Sequence, residues 1–156
     1  MKKNTNKYEI KVITKKGEEI LIDAEDFEKV KKYSWCISKT GYPVANINGK
    51  VTKLHRYLLE LRNPKIIVDH INRNTLDNRK CNLRICTALE NARNTTVSKN
   101  SSTGYLGVSL TAQGKYRARI MVNRKEIRLG NYSRIEEAIK ARKQAEKKYF
   151  KEFAPY

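Results

Sequence analysis

Apolar and polar residues alternate with a period of two along 8–13 (YEIKVI) and 18–23 (EEILID), and a Lys-Lys-Gly segment lies between them. That pattern predicts a β-hairpin. The next segment, DAEDFEKVKKY, changes to helical spacing with Asp23 placed as its N-cap. GYPVANINGKVTKL then reads as two more strands, with Asn48-Gly49 at the reversal that a two-residue turn favours. A short helical stretch in HRYLLEL stops at Asn63-Pro64, because the residue before proline is driven out of helical geometry.

The β-branched run Ile66-Ile67-Val68 ends at Asp69-His70, and a second strand-like run, LRICT, covers 83–87. Between them lies a polar loop, Asn72 to Asn82, crowded with turn formers. Thr87 and Glu90 form a T-x-x-E capping box, so a helix is expected next, with Asn91 in its first turn. Asn94 to Ser102 has no periodicity and reads as a linker. Three strand-like runs follow, at 105–111, 115–122 and 125–130, and a long helix from about Ile135, where Ser133 and Glu136 form another capping box. Ile135, Ala138, Ile139, Ala145, Tyr149 and Phe153 would be its buried stripe. In the strands, Tyr116, Ala118, Ile120 and Val122 share one face with Ile127 and Leu129, while Arg117, Arg119, Met121 and Arg128 share the other. The predicted class is α+β, divided into a β-rich region at 1–65, a strand-loop-strand-helix unit at 66–97, and a sheet-plus-helix unit at 98–156.

Charge sharpens this picture. Thirty-four Lys and Arg against sixteen Asp and Glu leave +18, distributed over those three segments as +7, +2 and +9. Such an excess, interrupted by apolar residues, is the footprint of a polyanion binder. A nucleic acid is the expected partner, and double-stranded DNA is the form implied by the family resemblances given below; a solvated basic surface or a membrane-surface protein is the plain alternative, and no apolar run suits a membrane span. Three cysteines, Cys36, Cys81 and Cys86, are odd in number and lack a CxxC spacing. They indicate neither a disulfide framework nor a zinc knuckle, and point to a reducing cytoplasm. Nothing in the chain calls for an obligate protein partner, so a monomer is expected.

Residues 68–94, VDHINRNTLDNRKCNLRICTALENARN, concentrate the candidate chemistry. Phosphodiester hydrolysis needs water deprotonated, charge at phosphorus neutralised, and the leaving oxygen assisted. A neutral imidazole can take the water's proton. A hard divalent cation held by a carboxylate and an amide oxygen can serve the other two needs, and such ligands favour magnesium over zinc. The bland reading of the same residues is a hydrogen-bonded loop. Neighbours on an ideal strand point to opposite faces, so Asp69 and His70 face one site only where the strand ends or bulges. The exit is placed at Ile71-Asn72.

The pattern DH, Asn twelve residues on, then LR-x-x-T-x-x-x-N resembles the HNH endonucleases, specifically the phage and intron-encoded homing type with Asn at the last position. That resemblance implies a ββα-metal finger with one Mg²⁺ (or a similar cation such as Mn²⁺), held by Asp69 and Asn91. His70 would be the general base, and Asn82 would hold the loop that orients it. It also implies DNA cleavage in the cytoplasm, that of a bacterial host if the gene is phage-borne. His55, in KLHRYLLEL, is read either as structural or as catalytic, since LHR also precedes the motif in that family. Arg79 and Arg84 are read either as phosphate clamps, with Arg84 carried forward as DNA-binding, or as part of a solvated face. Beyond the linker, the pattern GV…GKYRARI…RLGNY…EEAIKA resembles the Apetala or ethylene-response-factor DNA-binding domain. By position Ser109, Thr111, Arg117, Arg119 and Arg128 would face DNA, with Lys115, Arg124 and Lys125 on phosphates. Ser109 and Thr111 stand where that family has arginines. The rival from another class is a non-enzymatic, sequence-specific DNA-binding regulator that uses the basic sheet alone; an RNA binder fits less well, because the sheet lacks stacking aromatics.

Overall fold

A computed structural model describes residues 9–95, 97 and 101–154. Tyr8, the expected first residue of the hairpin, and part of the expected linker lie outside them. The chain divides into two compact units, Met1–Thr87 and Ala88–Tyr156. The sequence-based boundary after residue 65 thus falls inside the first unit.

In the first unit, β1 (Glu9–Ile13) and β2 (Glu19–Asp23) pair antiparallel, from Glu9 opposite Asp23 to Ile13 opposite Glu19. Their alternation delivers Ile20 and Ile22, both fully buried, to a core shared with Val30, Trp35, Ala45, Leu54 and Leu58. The expected helix after β2 is split into a 3-10 turn at Ala24–Asp26 and one α-turn, α1 (Phe27–Val30). Asp23 makes no side-chain cap. Its carboxylate instead accepts the Lys80 backbone N–H at 2.7 Å, so its acceptor is committed elsewhere. The strands β3 (Cys36–Ile37), β4 (Pro43–Ile47) and β5 (Lys50–Lys53) form a second sheet in chain order. Asn48 and Gly49 both take positive φ, 51° and 79°, as the tight turn requires. α2 (Leu54–Leu58) follows, and Arg56 fixes the chain beyond it by donating to the carbonyls of Ile66 and Asn63.

β6 (Ile67–His70) and β7 (Leu83–Cys86) form a two-stranded ladder in which Asp69 lies opposite Arg84 and His70 opposite Leu83. The intervening loop is held by the N-terminal hairpin. Leu21 N–H donates to the Leu76 carbonyl at 2.9 Å, and Asn78 N–H donates to the Leu21 carbonyl at 2.8 Å. Arg79 bridges Asp77 and Glu9, at 2.7 and 2.6 Å, and Lys80 reaches Glu25 and Asp26. Acidic residues of the N-terminal region, Glu9, Glu25 and Asp26, therefore meet two of the three basic residues of the loop, Arg79 and Lys80.

The second unit opens with a four-residue helix, α3 (Ala88–Asn91), beginning directly after Thr87. β8 (Val108–Leu110), β9 (Tyr116–Val122) and β10 (Lys125–Tyr132) form an antiparallel sheet in the order β10-β9-β8, with α4 (Ile135–Phe150) packed on it. Val108, Ala118, Ile120, Ala138, Ala145 and Phe150 are buried. The helix starts with Arg134 at the N-cap and no side-chain cap, so the Ser133 capping box does not form. Phe150, rather than Phe153, ends the buried stripe, because the α-helix gives way to a 3-10 turn at Lys151. The stripe also contains a buried ion pair, Arg142 to Glu146 at 2.7 Å, and Arg142 donates to the Arg119 carbonyl. Gly107, at φ +71°, lies so close that a Cβ there would collide with the Arg142 guanidinium.

Candidate active site

A strand alternates its side chains, and this fixes the surroundings of the Asp-His pair. Asp69 faces its cross-strand partner Arg84, whose Nε and Nη2 both donate to Asp69 Oδ2, at 2.9 and 2.6 Å. Only 8% of the Asp69 side chain and 13% of the Arg84 side chain are exposed. Arg84 is therefore not part of a solvated face in this structure. Its guanidinium is committed to the carboxylate.

His70 ends the strand and projects among other residues. Its ring centroid lies 5.3 Å from that of His55, edge-on, and 5.9 Å from that of Tyr42. Tyr42 also meets His55 at 5.5 Å and carries the Lys53 ammonium 4.3 Å from its ring centroid. His70 Nε2 lies 3.4 Å from Asn78 Oδ1. The two neighbours thus have different surroundings, although the Asp69 charge still acts on the imidazole, favouring its protonated form.

Both imidazoles are held neutral. Burial is the largest influence on His70 and lowers its pKa; the Asn78 hydrogen bond and the charges of Asp69 and Asp77 oppose that shift without cancelling it. Burial likewise pushes His55 down to about 3, assisted by the Lys53 and Arg56 charges and by repulsion from the neighbouring His70 ring whenever that is protonated. His55 Nδ1 is buried with no hydrogen-bond partner, a cost that a charged ring would multiply.

Asn82 closes the loop. Its Oδ1 accepts the Asn72 N–H at 2.9 Å and its Nδ2 donates to the Asp77 carbonyl at 2.7 Å, while its own carbonyl accepts from Ile71. Arg73 turns back with φ 63°, its N–H on the His70 carbonyl. Burial raises the Asp77 pKa, but the Arg79 hydrogen bonds and charge outweigh it and the net shift is downward. Asn91 ends α3 and is counted with the second unit. Among the described residues, no three or more His, Cys, Asp or Glu side chains gather as a metal cluster.

A model of the HNH endonuclease family matches residues 53–93, a span that includes His55, Asp69, His70, Asn78, Asn82 and Asn91. An uncharacterised HNH endonuclease of Acanthamoeba polyphaga mimivirus is 32% identical over 144 residues, covering 89% of this chain and 74% of that protein. The chain belongs to the HNH endonuclease family. No solved structure matches it. Within this HNH chain the sequence motif located Asp69, His70 and Asn82, but it gave no reason to single out Asn78 or Tyr42. Asn78 is one of six asparagines between residues 72 and 94, and what sets it apart is complete burial, which composition does not reveal.

The residues expected to face DNA lie in the second unit. Arg117, Arg119 and Arg128 are exposed, and Arg119 stands opposite Arg128 across β9 and β10. Glu126 lies between them, 2.8 Å from Arg119 and 3.8 Å from Arg128, an acid on a face read from sequence as basic. Ser109 and Thr111 are half-buried, and the Thr111 hydroxyl accepts the Lys115 N–H at 3.2 Å. Lys115, Arg124 and Lys125 are exposed, with Arg124 at φ 65° in the turn between β9 and β10. Among the described residues, no helix is long and apolar enough to cross a membrane.

Proposed function

We propose that the chain is a divalent-cation-dependent endonuclease of the homing type that hydrolyses phosphodiester bonds of double-stranded DNA. The observation that carries this reading is a histidine kept neutral by burial, one residue from a buried carboxylate, within the HNH motif. A neutral His70 accepts the proton of a water molecule as the water oxygen forms its bond to phosphorus and the ester oxygen departs. Burial opposes the charge the ring then acquires, while Asp69 and Asp77 favour it, so the proton is taken up and later released.

The donor chemistry suits magnesium. Asp69 supplies a hard carboxylate, and Asn91 is proposed as the amide donor from its place in the motif. Magnesium needs one or two protein oxygens, with water and phosphate completing its shell, whereas a structural zinc site gathers four N or S ligands. When bound, the cation supplies charge neutralisation at the phosphate and at the departing oxygen. Asn82 is proposed to keep the loop from Asn72 to Asp77 in the shape that seats His70. The exposed Arg117, Arg119 and Arg128 are proposed as the DNA-reading face, with Lys115, Arg124 and Lys125 on phosphates and Ser109 and Thr111 at its edge. Arg84, expected from sequence to bind DNA, is proposed instead to hold the Asp69 carboxylate in place. The proposed outcome is a nick in one strand or cleavage of the duplex, with a monomer as the expected species.

The test is cleavage of a supercoiled target-site library with Mg²⁺, with chelator, and with His70→Ala. Wild type is expected to nick only with the cation, and His70→Ala to bind duplex without nicking it. Equal nicking by His70→Ala would overturn the assignment. Duplex binding with no cleavage by either protein across the library would favour the regulator that uses the arginine face alone.

A further inference from the structure

We propose that Asn78 sets the tautomer of His70, holding the proton on Nε2 and leaving the lone pair on Nδ1. This deepens the nuclease reading and rests on His70 being the base, because it says which nitrogen receives the proton. An imidazole has two nitrogens, and the partner of one decides what the other can do.

The argument turns on which way the Asn78 amide points. The side chain is fully buried, and its Nδ2 donates to the Thr75 carbonyl at 3.0 Å. Rotating the amide by half a turn would set two acceptors against each other there, since a carbonyl oxygen cannot donate. Oδ1 is thereby directed at His70 Nε2, 3.4 Å away. An amide oxygen only accepts, so Nε2 must carry the hydrogen. The opposite tautomer would place two lone pairs face to face in a buried setting. A buried polar mismatch of that kind corresponds to a preference of about tenfold to a hundredfold.

Asn78 is itself fixed from both sides. Its backbone N–H is bound by the Leu21 carbonyl, and Asn82 ties the carbonyl of the preceding residue, Asp77. The tautomer of the base is thus set by a residue that touches neither substrate nor cation, which makes Asn78 a positioning residue.

The experiment is ¹⁵N-detected NMR of the imidazoles in the full-length, cation-free protein at about pH 7.5, where a histidine shifted below its ordinary value is neutral. His70 is assigned by the signal missing in His70→Gln. A protonated Nε2 and an unprotonated Nδ1 are expected; a dominant Nδ1–H form would overturn the proposal. Asn78→Leu should mix the tautomers and lower kcat by roughly tenfold to a hundredfold, with KM for DNA unchanged. Asn78→Asp keeps an oxygen acceptor and should retain the proton on Nε2. A pure Nε2–H form in Asn78→Leu would also overturn it. If Asn78→Leu does not fold, the wild-type spectrum decides. The nuclease reading fails separately, through cleavage by His70→Ala, whichever tautomer is found.

Discussion

His55 should make the protein acid-labile well above the range in which carboxylates titrate. The side chain is buried, 4% exposed, with an orphaned Nδ1 and three basic neighbours in His70, Lys53 and Arg56. Its folded pKa is near 3 against an ordinary 6.5. Between those values the unfolded chain binds a proton that the folded chain refuses, so stability is complete above 6.5 and falls as the pH drops. At about 1.36 kcal/mol per pH unit, the loss reaches ~2 kcal/mol by about pH 5, and approaches ~5 kcal/mol at the folded pKa. His55→Leu removes the titrating group at nearly constant volume. Urea unfolding at about pH 7.5 and about pH 5 should then show wild type losing ~2 kcal/mol more than the variant across that interval. His70 shifts in the same direction and is present in both proteins, so the difference between them reports His55 together with its effect on the adjoining His70 ring. Parallel losses in the two proteins would refute the reasoning, and would mean that the ring is hydrated or partnered in solution.

Arg84→Ala removes the guanidinium that pairs with the buried Asp69 carboxylate and should cost roughly 3–5 kcal/mol in cation-free protein. Added Mg²⁺ should raise the Tm of that variant more than that of wild type in a thermal-shift assay; equal shifts would separate Asp69 from the cation. Gly107→Ala meets both the positive φ and the Arg142 guanidinium, so a loss of about 3 kcal/mol is expected in the thermal unfolding of the second unit. A neutral substitution would show that both the Arg142 guanidinium and the Arg119 carbonyl, which a Cβ there also meets, give way at no cost. Arg117→Ala should weaken duplex binding and lower the salt slope by about one, leaving the hydrolytic rate at saturating DNA intact. Loss of cleavage with binding unchanged would place Arg117 in the wrong unit of function.

Local periodicity made much of the fold legible. The alternation of residues 116–122 separates Ala118 and Ile120, both fully buried, from Arg117 and Arg119, both exposed, and Asn48-Gly49 forms the turn its composition announces. The Asp-His pair and its following asparagines were equally readable, because a strand end and a polar loop leave a dense local signature. What could not be read depends on distance along the chain. Arg79 meets Glu9 seventy residues away, and Asn78 is fixed by Leu21, pairings on which no window of sequence reports. Arg142 and Glu146 carry charges and stand outside the expected stripe; their ion pair with each other and the Arg119 carbonyl that Arg142 reaches satisfy them where they are buried. Asp23 and Ser133 were plausible caps by type, but Asp23 is committed to Lys80, and the last helix starts at Ile135 with Arg134 before it.

The bracing of the loop at 72–82 by the first hairpin bears on how this cutter can be engineered. Anyone fusing it to a DNA-binding domain would be tempted to excise the stretch from Ile66 onward as a portable cartridge. Such a graft would leave behind Leu21, Glu9, Asp23 and Glu25, and with them the anchors for Asn78, Arg79 and Lys80. The smallest transferable part therefore begins no later than Glu9, and a chimera that starts beyond it would inherit the motif's letters without the frame that gives them shape.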